Sequence, residues 1–100
     1  TGNPNIKAVF ASNDNMALGA WEALESAGMT DVVLVGFDAN PDAAASVAAG
    51  KMSATVAQFS YNMGKYGVEN ALKLANGESI PDNIDTGTVL VTKENAADFM

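Results

Sequence analysis

Among its 100 residues the chain has no cysteine, no histidine and only three prolines. Without cysteine there is neither a disulfide nor a thiolate metal site, and without histidine the commonest general base and the commonest neutral metal ligand are missing. Most catalytic templates fail on those two absences, and neither a metal nor a cofactor is expected. Basic residues are scarce too, five against twelve acidic ones, for a net charge of −7 and a pI near 4.1. A field of that sign repels phosphate backbones and anionic lipid headgroups, so nucleic acid is not an expected partner. No apolar run approaches the roughly 20 residues that cross a bilayer, so membrane insertion is not expected, and no stretch has the basic start and small-residue cleavage site of a signal peptide.

What is present is apolar enough to fold. Hydrophobic residues make up 48% of the chain and charged ones 17%, with a mean hydropathy of +0.06, which is globular rather than disordered composition. A chain this short forms one domain at most and buries a modest core. The opening Thr1-Gly2-Asn3-Pro4-Asn5 lacks a Met and leads within one residue into a strand-like run, which reads as an internal piece of a longer protein.

Strand and helix signals alternate. Ile6–Ala11 is a short apolar run and Val32–Phe37 a near-continuous one, as expected of parallel strands covered on both faces by helices. Between them Ala17, Ala20, Trp21, Leu24 and Ala27 recur at spacings of three and four and predict a helix over 14–27, closed by Gly28. Asn40 as N-cap, Pro41 at the first helical position and Asp42 in the first turn open a second helix that ends at Gly50. Residues 53–57 predict a third strand, residues 62–76 a helix closed by Gly77, and residues 88–92 a fourth strand. This order gives the α/β class, a doubly wound parallel sheet joined by helical crossovers. The third helix is a misfit: Gly64, Gly67, Val68, Ala71, Leu72 and Ala75 line a face made for close packing, and the short sheet offers it no evident surface.

In open α/β sheets ligands sit beyond the carboxyl ends of the strands, so the first polar residues there are the candidates. They are Asn13 after the first strand, Asp38 after the second and Gln58 at the end of the third. A hydroxyl-rich ligand both donates and accepts, and is matched by a carboxylate that takes two hydrogen bonds and by amides that give and take. Each residue also has a plainer role: Asn13 or Asp14 as a helix N-cap, Asp38 as a turn stabiliser, Gln58 as a loop tie. Phe10, Phe37 and Trp21 read as packing residues, Phe59 is open, and the methionines read as gap-fillers.

The segment Ala8-Val9-Phe10-Ala11-Ser12-Asn13-Asp14-Asn15-Met16-Ala17-Leu18-Gly19-Ala20 resembles the corresponding part of periplasmic sugar-binding proteins of the ribose-binding type and of the related repressors. Val35-Gly36-Phe37-Asp38 resembles the next signature of that family, and Gly50 to Gln58 followed by Met63-Gly64 the third. The resemblance covers nearly the whole chain. It implies the type I periplasmic binding protein fold, here in part. Residues 1–58 and 87–100 would belong to the C-terminal lobe, and residues 59–86 to a crossover segment of the opposite lobe, which would account for the misfit helix.

The resemblance implies further that residues matching Asn13, Asp38 and Gln58 hydrogen-bond a monosaccharide in a cleft between two lobes. Closure of the cleft would present the protein to an ABC transporter permease, with no catalytic step. It implies a periplasmic location, or a cell-surface lipoprotein in a Gram-positive source. The N-terminal lobe with its own sugar contacts is missing, so this piece alone is expected to bind sugar weakly or not at all and to expose an apolar helix face prone to association. Two other readings are weighed. One is the effector-binding core of a lac-type repressor, against which Lys51–Gln58 lacks the Pro-rich Leu-Thr-Thr pattern. The other is a phosphoryl-transfer domain using Asp38, for which the usual second carboxylate and lysine follow no pattern here. The identity of the sugar is not encoded in these residues.

Overall fold

A strand of three residues, β1 (Ala8–Phe10), opens the computed structural model, which describes residues 2–100. Its ladder is one residue longer at each end than its assignment: Val33 N–H donates to the Lys7 carbonyl and Ala11 N–H to the Val35 carbonyl. Then follow α1 (Asp14–Ser26), β2 (Val33–Asp38), α2 (Pro41–Ala48), β3 (Ala54–Gln58), α3 (Ser60–Ala75), β4 (Thr88–Val91) and a closing 3-10 turn at Ala96–Phe99. The sheet order is β1-β2-β3-β4, and β1, β2 and β3 run parallel. This is the α/β architecture that the alternation predicts, with boundaries shifted by a residue or two.

Each helix ends the same way. Gly28, Gly50 and Gly77 take positive φ, and the residue after each donates back to the fifth carbonyl before it, as Met29 does to Leu24 at 2.8 Å. A side chain at those positions would strain the left-handed turn that satisfies the last carbonyls. Asn40 occupies the N-cap position of α2, but its side chain makes no capping bond. Its backbone N–H is committed elsewhere, as described below.

The chain divides into two compact units. One comprises the residues up to Ala57 together with Val89–Met100, the other Gln58–Thr88. In the first, α1 and α2 pack on one face of the sheet, where Ala17, Trp21, Leu34, Ala43, Val47, Met52, Ala57, Val91 and Ala96 form the core. Burying a Leu, Val or Met side chain in such a cluster contributes about 1.5–3 kcal/mol each.

The opposite face of that sheet departs from expectation. Phe10 pairs with Val35 across the ladder, so both point away from the core, and Phe10 is 65% exposed, with Val33 at 48% and Leu90 at 57%. The packing role expected for Phe10 is therefore not met, whereas Trp21 is buried and Phe37 half-buried. The physical reason is the strand order: successive crossovers step one way across the sheet and place α1 and α2 on one side, so neither of them covers the other.

In the second unit, α3 buries none of its residues. Val68 and Leu72, on the face expected to pack, are exposed along with Tyr61 and Leu74. Phe59 precedes the helix without a side-chain cap, and its ring lies beneath Gly87, where a Cβ would come within 3.4 Å of Cε2.

Candidate functional site

The exits of β1 and β2 are built around one buried side chain that the sequence reading treats only as a possible cap. Asp14 is the first residue of α1 and is fully buried. Its Oδ1 accepts the hydroxyl of Thr55, also fully buried, at 2.6 Å, and its Oδ2 accepts the backbone N–H of Asn40 at 2.7 Å. The Thr55 hydroxyl oxygen in turn accepts the N–H of Ala39 at 3.3 Å. A carboxylate out of water needs such donors, and the N-terminus of α1 adds the favourable end of the helix dipole.

Asn13, immediately before it, is half-buried and caps α1: its Oδ1 accepts the N–H of Met16 at 2.9 Å. The plainer role is thus in place for this residue. With its oxygen engaged in the cap, Asn13 has its amide NH2 to offer a ligand.

Asp38 ends β2 with φ 115°, and Ala39 follows at φ 57°. Two successive residues with side chains in positive φ are uncommon, at a cost of order 1–3 kcal/mol each, and such outliers persist where the surroundings hold them. Here the holding groups are visible, since the N–H groups of Ala39 and Asn40 are the ones taken by Thr55 and Asp14. Asp38 itself is half-buried and pairs with Ala57 across the parallel ladder.

Gln58 is the last residue of β3, one position beyond Ala57, and the first of the second unit, where it is half-buried. The structure therefore brings together the loops that carry Asn13 and Asp38, linked through Asp14 and Asn40. A cleft of about 260 Å³ between α1 and α2 is lined by Trp21, Asp42 and Ser46 and includes neither Asn13 nor Asp38.

Asp14 and Thr55 are the residues that reading the sequence misses. The available signal was Gly36 inside a strand, since a glycine there marks a close approach. A Cβ on Gly36 would collide with Asp14 Oδ1 and lie 2.9 Å from Met52 Cε and 3.1 Å from Ala17 Cβ. Among the described residues no group of three or more acidic, Cys or His side chains is placed to hold a metal ion, and no helix is long and apolar enough to cross a membrane.

Comparison with known proteins sets this geometry in context. The family profile described as periplasmic binding protein domain matches residues 1–79. The ribose import binding protein RbsB of Escherichia coli (strain K12) is 46% identical over 94 residues, 94% of this chain and 32% of that protein. An ABC transporter solute binding protein from Mycobacterium smegmatis, solved with bound glycerol, superposes with a TM-score of 0.86 at 39% identity, over 97% of this chain and 34% of its own. A periplasmic solute binding protein from Actinobacillus succinogenes 130z, solved with bound D-allose, gives a TM-score of 0.83 at 40% identity, over 97% of this chain and 35% of its own. The chain thus spans about a third of the length of the relatives it matches.

Proposed function

This chain belongs to the periplasmic binding protein domain family, and from that premise we propose that it is the part of an ABC transporter binding protein that supplies one side of a monosaccharide site. The observation that carries the reading is the 46% identity to a ribose import binding protein over 94% of this chain. The likeness to a structure holding D-allose supports a pentose or hexose as the ligand class.

In this reading Asp38 accepts two sugar hydroxyls, Asn13 donates from its amide NH2, and Gln58 both donates and accepts. Sugar hydroxyls that lose a partner in a desolvated site cost about 1–3 kcal/mol each, so selectivity rests on matched geometry rather than on apolar area. Residues 1–58 and 87–100 form part of one lobe and residues 59–86 part of the opposite one. The division of the chain at Ala57/Gln58 and Thr88/Val89 supports that assignment. The sugar stabilises the closed arrangement of the two lobes of the complete protein, and the closed form docks on the permease. No bond is made or broken, in keeping with a chain that has neither His nor Cys. The site of action is the periplasm, or the outer surface of the cell where there is none.

The test is thermal unfolding of the full-length protein against a panel of monosaccharides that includes ribose and allose, with Asp38→Ala as control. At about 100 times its dissociation constant a ligand adds about 2.7 kcal/mol of stability. A shift for a sugar that vanishes in the control supports the reading. No shift with any sugar rejects it.

A further inference from the structure

Asp38 is fixed by its backbone as much as by its chemistry. It and Ala39 both stand at positive φ, a conformation that side chains disfavour and that relaxes unless something holds it. Two peptide N–H groups follow at Ala39 and Asn40, and both are taken by buried side chains from elsewhere in the sequence. Thr55 reaches across from β3 and Asp14 from the start of α1, and the two are joined to each other at 2.6 Å. Neither has any exposed surface with which to meet a ligand. A strand interior would be served as well by valine at 55, and an apolar residue at 14 would avoid burying a carboxylate, so packing alone accounts for neither. Gly36, with no side chain, makes the room the carboxylate occupies.

We propose that Asp14 and Thr55 are positioning residues that clamp the β2 exit in its strained conformation and thereby aim the Asp38 carboxylate into the ligand site. The proposal rests on the sugar-binding reading for its functional consequence, but the clamp itself is measurable without any ligand. Its action is pre-organisation: the direction of Asp38 is set before the sugar arrives, so binding does not have to order it.

The experiment uses the full-length protein with Thr55→Val, which keeps the shape and removes the hydroxyl, Thr55→Ser, which restores it, and Asp14→Asn, which puts an NH2 group in place of an accepting oxygen. Hydrogen exchange in the absence of ligand is expected to show the Ala39 and Asn40 amides losing protection in Thr55→Val and Asp14→Asn, regaining it in Thr55→Ser, and Leu34 and Val47 unchanged throughout. Sugar affinity is expected to fall about tenfold in Thr55→Val and to return to within about threefold of wild type in Thr55→Ser, the range set by loss of a hydrogen bond to a charged group.

In an Asp38→Asn background Thr55→Val is expected to cost little further affinity, because it acts through the charge already removed. Equal losses in the two backgrounds would make Thr55 a general stabiliser and overturn the proposal, as would unchanged exchange at Ala39 and Asn40. Should Thr55→Val not fold, Asp14→Asn carries the same comparisons. A wild-type protein that binds no monosaccharide rejects the sugar reading, and the exchange result then decides the clamp by itself.

Discussion

Gly36 passes directly beneath the side chain of Asp14, and the two residues fit only because one of them has no Cβ. Gly36→Ala forces the carboxylate, Met52 or the strand to move, and overpacking of this kind costs about 1–3 kcal/mol. Urea unfolding of the full-length protein is the measurement, read as a lowered midpoint at unchanged slope. A loss below about 0.5 kcal/mol, the range of an inconsequential surface change, would mean that the carboxylate moves aside freely.

Asn13 caps α1, and the proposed sugar contact would give it a second, separable duty. Asn13→Ala removes the cap of α1 and is expected to cost about 1 kcal/mol of stability together with sugar affinity. Asn13→Asp keeps an accepting oxygen at the helix N-terminus, where negative charge is favoured, but gives up the amide NH2. That variant is expected to hold its unfolding midpoint while losing affinity. Equal affinity in Asn13→Asp and wild type would confine Asn13 to capping.

Asp38→Gly relieves a strained φ at the cost of a more flexible unfolded chain and of the interaction its side chain makes, so stability is expected to change by less than about 1 kcal/mol. Affinity for the sugar is expected to fall about 10- to 100-fold, as befits lost charge-assisted hydrogen bonds. Differential scanning calorimetry and calorimetric titration read the two effects separately. A protein that binds the sugar as tightly as wild type would refute the assignment of Asp38.

The 100-residue chain by itself carries two apolar surfaces, Phe10, Val33 and Leu90 on the sheet and Val68 and Leu72 on α3. Exposed apolar patches of this kind favour association, and light scattering at rising concentration is expected to show it. Leu90→Lys and Val68→Lys, each made alone, are expected to weaken it in proportion to the surface each interrupts. A clean monomer at high concentration would contradict this prediction.

The helices were legible because their signals are local. Asp14–Ser26 and Pro41–Ala48 lie within two residues of the spans set by apolar spacing, Pro41 and the glycines at 28 and 50. The class of sheet followed from alternation. The exposure of Phe10 was not legible, because a β-favouring aromatic reads the same whether or not a helix lies over it. Nor was the pairing of Asp14 with Thr55, which are 41 positions apart: an Asp after a strand looks like a cap, and a Thr in a strand looks like a Thr in a strand. Only Gly36 hinted that something had to fit.

The core of the first unit is completed by residues on the far side of an interruption. Val91 and Ala96, both fully buried, join Leu34 and Val47 only after the chain has passed through residues 58–88. On a ribosome, β1 to β3 emerge before β4 and wait with a gap where β4 belongs. Long-range closure of this sort slows folding, and the waiting strand edge is where a wrong partner would add. Residues 89–100, which carry none of the proposed ligand contacts, therefore decide when the core of this unit closes and its open strand edge is covered.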